Sequence, residues 1–127
     1  LLTVSRYIEL NPVRANMIDH PAEYPWSSYH QNALGKKIKL ITSHAVYNSL
    51  GNNKLERQLA YQSLFVNHIP DYTVEEIRKA ANKGWVVGDA RFKQQIEKQL
   101  GYSIPPLPRG GDRKSGDFHK SGRIKQL

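Results

Sequence analysis

Apolar positions recur along this chain mostly at helical spacing. Val4, Ile8 and Leu10 fit a helix with one apolar face, and Tyr7 and Asn11, four apart, project from one side of it. Pro12 lacks the N–H that a regular ladder needs, so this helix is expected to stop, kink or restart there. Pro21 and Pro25 each disfavour helix at the residue before them, so residues 21–25 read as an extended loop. Ser27 or Ser28 can cap a short helix towards Ala33, with Gly35 closing it. Residues 36–41 alternate polar and apolar side chains at their end, which fits a short edge strand or an extended loop.

From Thr42 the pattern is helical throughout. Ser43 is expected to cap a helix from His44 to Leu50 that Gly51 ends. Asn53 and Glu56 make a capping arrangement for a helix through Leu55, Leu59, Leu64, Phe65 and His68, whose apolar members should face a core. Pro70 stops that run. Thr73 and Glu76 form a second capping box for a helix through Ile77, Ala80 and Ala81 to Gly84. Asp89 caps a third through Phe92, Ile96 and Leu100, ended by Gly101. The predicted fold class is therefore mainly α. Three regions are expected: residues 1–35, a helical region at 36–101, and a basic tail at 102–127 with too little apolar surface to offset the entropy of ordering it.

Composition adds a partner class. The 127 residues, enough for one domain, carry a formal charge of +8 and are 39% apolar. That excess favours a polyanion, nucleic acid or an acidic membrane surface. With no cysteine, disulfides and thiolate zinc sites are excluded. No apolar run approaches membrane-spanning length and no signal-peptide layout opens the chain, so a cytoplasmic protein with no membrane partner is expected.

Several stretches have both a chemical and a plain reading. Lys36, Lys37 and Lys39 form the densest positive patch outside the tail, for phosphate contact or for a solvated edge that blocks aggregation. Tyr24, Trp26 and Tyr29 either stack on splayed bases or plug the loop onto its helix. Three short helices with glycine turns invite a helix-turn-helix reading, in which residues 89–101 enter a groove with Arg91, Lys93 and Lys98 as contacts. An ordinary lysine-rich helix face is the alternative. Trp85 is expected to anchor a core. Arg109, Arg113, Lys114, Lys120, Arg123 and Lys125 make the tail a basic arm on nucleic acid or an inert extension.

The richest stretch is Arg6-Tyr7-Ile8-Glu9-Leu10-Asn11-Pro12-Val13-Arg14-Ala15-Asn16. A phenol and an amide one turn apart, flanked by guanidinium groups, suit a nucleophile beside a metal or phosphate site. The plain reading is a half-buried tyrosine and an asparagine capping the next helix. Together with Asp19-His20-Pro21-Ala22-Glu23-Tyr24-Pro25-Trp26-Ser27-Ser28-Tyr29, this stretch resembles the C-terminal signature of the REP-associated tyrosine transposases, single-strand transposase-like proteins of the one-tyrosine HUH class. Lys83-Gly84-Trp85-Val86-Val87-Gly88-Asp89, with Arg91-Phe92-Lys93 after it, is similar to the tail region of longer members.

That resemblance implies that Tyr7 matches the nucleophile, which attacks single-stranded or hairpin DNA and stays linked to the 5′ phosphate. It implies that Asn11 matches a ligand of a divalent metal, magnesium or manganese; Arg6 and Arg14, which flank the pair, are candidate DNA contacts. It also implies that the first region is the tyrosine helix of an α/β ferredoxin-like domain whose sheet lies upstream. The family's other metal ligands come as His-hydrophobic-His, whereas His20, His30, His44, His68 and His119 include no pair so spaced. The expectation is a C-terminal part of a longer transposase, or a decayed copy, that binds no metal alone and lacks the N-terminal half of its catalytic domain. A non-catalytic DNA-binding module and a helical protein-interaction domain are the competing readings.

Overall fold

A computed structural model describes residues 1–104, so the stretch from Pro105 onward, with the basic residues of the expected tail, lies outside the described residues. The chain is mainly helical, and no strand occurs among the described residues. It divides into two compact units, Leu1–Asn82 and the part from Lys83 onward. No helix among the described residues is long and apolar enough to cross a membrane.

The first unit begins with α1 (Leu2–Glu9) and α2 (Asn11–Arg14). Their junction is the expected break at Pro12, and it is a mild one. Leu10 N–H still donates to the Arg6 carbonyl and Arg14 N–H to the Leu10 carbonyl, so the helical course continues across the gap. It stops at Asn16, whose φ of 55° is left-handed, a conformation that asparagine tolerates better than most side chains. The expected apolar face of α1 is not the buried one: Ile8 is 56% exposed and Val4 half-buried, while Glu9 is 1% exposed. Periodicity alone ranks a carboxylate last for burial, and the reversal comes from hydrogen-bond partners described below.

A 3-10 turn (Pro21–Glu23) follows, held by a reciprocal cap. Ala22 N–H donates to His20 Nδ1 and His20 N–H to Glu23 Oε1. In α3 (Tyr29–Asn32), Ser27 Oγ accepts from the Tyr29 amide at 3.3 Å, and Gly35 ends the turn with φ 74°. A Cβ at Gly35 would meet only the movable end of the Gln58 side chain, so it is φ that favours glycine there. Residues 36–41 are a loop, the second of the two expected forms. Gln31 pins its second half, accepting from the Ile38 amide at 3.0 Å and donating to the Ile41 carbonyl at 3.4 Å.

The cap of α4 (Ala45–Asn48) is His44, whose Nδ1 accepts from Val46 N–H, and not Ser43. An imidazole nitrogen in the acceptor tautomer fills the role that sequence patterns reserve for hydroxyls and carboxamides. In α5 (Lys54–Ser63), Asn53 caps as expected, accepting from the Glu56 amide at 2.9 Å, while Glu56 reaches back to the Asn52 amide at 2.7 Å. This helix ends before Leu64, short of His68. Leu55 and Leu59 are 64% and 56% exposed, which corrects the expectation that they face the core. The buried side carries Tyr61, because its phenol has a partner inside. The next helix, α6 (Asp71–Lys83), starts before the expected Thr73 cap, since the Pro70 carbonyl already accepts from Thr73 and Val74. Val74, Ile77 and Ala80 form its buried stripe.

Tyr29, Ala33, Tyr47 and Tyr61 are the core of this unit, with Leu2, Ala22, Leu50, Leu64 and Phe65 packed on them. The core thus crosses the boundary expected between residues 35 and 36. Three of its four buried members are tyrosines, and their rings meet edge-on: Tyr29–Phe65 centroids are 5.0 Å apart and Tyr47–Tyr61 5.6 Å. A tyrosine core obliges each buried hydroxyl to find an acceptor. Tyr47 donates to the Asn32 carbonyl at 2.8 Å, and Tyr61 to Glu9 Oε2 at 2.8 Å. Of the aromatic cluster 24–29, Tyr29 is the plug, whereas Trp26 is 83% exposed and takes no part in the core.

The second unit contains α7 (Ala90–Leu100). Asp89 Oδ1 accepts from Phe92 N–H at 2.8 Å, and Gly101, at φ 73°, closes the helix, both as the sequence predicts. No residue of α7 is buried. Trp85 is half-buried, with the Lys83 ammonium 4.4 Å from its ring centre.

Candidate functional site

Three groupings in the first unit carry chemistry. The kinked junction of α1 and α2 gathers Tyr7, Asn11 and Arg14 around one guanidinium. Arg14 donates to the Tyr7 carbonyl and to Asn11 Oδ1, and its guanidinium carbon lies 4.3 Å from the centre of the Tyr7 ring. The helical course across Leu10 makes this possible, since it keeps positions 7, 11 and 14 on one side. Burial is the main cause that pulls Arg14 below its ordinary pKa; the nearby Arg78 charge adds to it, and Tyr7 opposes it. Arg6 is a clamp instead: it donates to the Asn67 carbonyl, tying α1 to the connection before α6.

The metal expectation can be tested on this donor set. Asn11 Oδ1 already accepts from a guanidinium, a competing cation at the place where an ion would sit. Among the described residues, no three His, Asp or Glu side chains are grouped so that they could hold a metal ion. The groups beside Tyr7 do not fit a divalent ion by themselves.

The second grouping is a buried carboxylate. Glu9 accepts from Ser28 Oγ and from Tyr61 OH, joining α1, the segment before α3, and α5. Burial raises its pKa above the usual 4.5; the hydrogen bonds from Ser28, Tyr61 and Asn32 oppose the rise without cancelling it. The Tyr61 phenol is pushed well up, first by burial and then by the Glu9 charge. A carboxyl with a raised folded-state pKa contributes stability that is fully present below about 4.5 and is lost as pH climbs through the folded value. Glu9→Gln is therefore expected to lose less stability than the parent between about pH 5 and about pH 8. Urea midpoints at both pH values check this, and parallel losses in the two proteins would refute it.

The third grouping is a cleft of about 440 Å³ between the 36–41 loop and α5. Lys36, Lys37 and Lys39 enter it from the loop, and Lys54 and Arg57 from the helix. No carboxylate lines it. The nearby Glu56 is engaged at the Asn52 amide, and Arg57 is aimed by its Nε–H bond to the Gly51 carbonyl at 3.0 Å. Sequence reasoning found the three lysines and missed Lys54 and Arg57, which lie fifteen or more positions further on and meet them through tertiary packing alone. Arg91, Lys93 and Lys98 belong to the second unit, Arg91 and Lys98 exposed and Lys93 half-buried.

No family model, curated protein or solved structure matches the chain, and its site is read from its own residues and geometry.

Proposed function

We propose that this chain binds single-stranded or hairpin DNA as the C-terminal portion of a transposase-like protein, and that the intact protein cleaves and rejoins the strand through Tyr7. The observation that carries the binding is the basic cleft, in which five cations converge with no lining carboxylate. Phosphate contacts need positive charge in a groove that tracks a backbone, and a loop tied to Gln31 at Ile38 and Ile41 brings three exposed lysines to that groove. The resemblance supports the strand chemistry. In that step the Tyr7 phenol oxygen forms a bond to phosphorus and loses its proton. The bond from phosphorus to the 3′ oxygen of the preceding nucleotide breaks, leaving a 3′ hydroxyl and a 5′-phosphotyrosine. The Arg14 guanidinium over the Tyr7 ring supports a role for it in offsetting charge on the phosphoryl oxygens. Rejoining is the same displacement in reverse.

A second reading, a DNA-binding module without catalysis, is favoured by the Arg14–Asn11 bond, which occupies the amide oxygen. Two measurements separate the readings. Binding of a labelled oligonucleotide is expected to weaken steeply with added salt, and no binding at low salt removes both. In a protein extended by its upstream coding sequence, a covalent DNA adduct that Tyr7→Phe abolishes supports the transposase; binding without any adduct leaves the module. An upstream frame lacking His-hydrophobic-His also argues for the module.

A further inference from the structure

A second cleft, of about 510 Å³, is lined by Arg14 and differs from the basic cleft in its lining. Its size falls in the range of about 300–1,000 Å³ usual for small-molecule sites. Leu10, Val13, Phe65 and Val74 provide apolar walls. Arg14 and Arg78 reach it from α2 and α6, and His20, His68 and Asn67 stand around them. Asp19 and Asp71 complete the polar side.

Two arginines and two aspartates balance in formal charge, yet one buried donor lacks a partner. Arg14 is half-buried, and its Nε is buried with no hydrogen-bond partner among the described residues. Its hydrogen bonds go to a carbonyl and an amide oxygen, not to a carboxylate. Arg78, a like charge, lines the same cleft, and its influence on Arg14 is smaller than that of Tyr7. Two guanidinium groups in one cleft, one of them with a buried N–H that has no partner, suit an anion, and guanidinium groups match phosphate oxygens in particular. A bare phosphate would leave the apolar walls unfilled. A ligand with a phosphate at one end and a flat, largely apolar body bearing N–H donors would use the walls, the arginines, and the acceptors Asn67, Asp19 and Asp71 together.

We infer that this cleft seats one nucleotide unit, its phosphate on Arg14 and Arg78 and its base against Val13, Phe65 and Val74. The inference rests on the nucleic-acid reading above and deepens it, because the seat lies one side chain from Tyr7: Arg14 touches both. It also assigns Arg78 a role that sequence patterns gave no reason to suspect.

The test uses the whole chain and its own histidines. His20 and His68 line the cleft, whereas His30 and His44 do not, so their imidazole proton NMR signals report site and background in one sample. Deoxynucleoside 5′-monophosphates are expected to shift His20 and His68 saturably and to leave His44 in place. Arg78→Gln, at an exposed position that leaves folding intact, is expected to weaken this about ten- to a hundredfold. A short single strand should compete for the same signals with higher affinity. Inorganic phosphate giving equal shifts at equal affinity would overturn the nucleotide assignment, and monophosphate binding that a single strand does not displace would overturn the strand assignment. If a single strand binds while His20 and His68 stay still and Arg78→Gln changes nothing, the seat is wrong but the nucleic-acid reading stands. If no nucleic acid binds at all, that reading fails first.

Discussion

Replacing Tyr61 with alanine is expected to remove a large part of the stability of the unit Leu1–Asn82. Tyr61 is 1% exposed and its ring packs on Tyr47 and Phe65, at centroid distances of 5.6 and 5.5 Å. Truncating a buried aromatic residue to alanine costs about 3–5 kcal/mol from lost burial and the cavity left behind. A second loss adds to it. The Tyr61 hydroxyl donates to Glu9, and its removal leaves that carboxylate, 1% exposed, with fewer donors inside a core. Small domains have about 5–15 kcal/mol in total. Tyr61→Phe separates the two contributions: it keeps the ring and removes the donor, so about 1–3 kcal/mol is expected, growing with pH as Glu9 charges. Circular dichroism at 25 °C and urea midpoints decide the matter. A cooperative transition for Tyr61→Ala within about 1 kcal/mol of the parent would refute the placement of this core.

That dependence explains which parts of the fold could be read from the sequence. Caps that a side chain makes to its own neighbouring backbone were legible: Asn53, Asp89 and Gly101 act where local rules put them, because a local bond needs no tertiary partner. The helix break at Pro12 is of the same kind. Burial was less legible. Leu55, Leu59 and Ile8 satisfy helical periodicity yet are exposed, whereas Glu9 is buried by donors from Ser28, nineteen residues on, and Tyr61, fifty-two on. A polar residue becomes a core residue only when distant groups satisfy it, and periodicity carries no record of those groups. The candidate site divides in the same way. Tyr7, Asn11 and Arg14 meet through helical spacing and were visible as a set. Lys54, Arg57 and Arg78 join their clefts through the packing of α5 and α6 and were not.

Neutralising the loop side of the basic cleft is expected to have the largest effect on binding. The lysines at 36, 37 and 39 are exposed, so Lys36→Gln, Lys37→Gln and Lys39→Gln together should leave the unfolding transition near that of the parent. Each phosphate that a lysine or arginine neutralises contributes roughly 0.7 to the slope of log K against log salt for a single strand, and about 0.9 for a duplex. Losing three contacts then lowers the slope by about 2 on a single strand and about 2.7 on a duplex stem. Referred to about 1 M salt, where the electrostatic contribution is small, the same slope predicts roughly a hundredfold weaker single-strand binding at about 0.1 M. Lys54 and Arg57 stay in place, so residual salt dependence is expected rather than none. Arg57 is spared because its Nε–H bond to Gly51 holds the loop before α5, and its loss would mix folding with binding. The parallel change on α7, Arg91→Gln with Lys93→Gln, measures how much of the slope belongs to the second unit. If the triple variant keeps the parent slope and the α7 variant loses it, the phosphate track lies on α7 and the cleft is a solvated edge. If the triple variant loses the slope, the geometry of 36–57 sets where the strand runs, and the difference between about 2 and about 2.7 says whether a single strand or a hairpin stem occupies it.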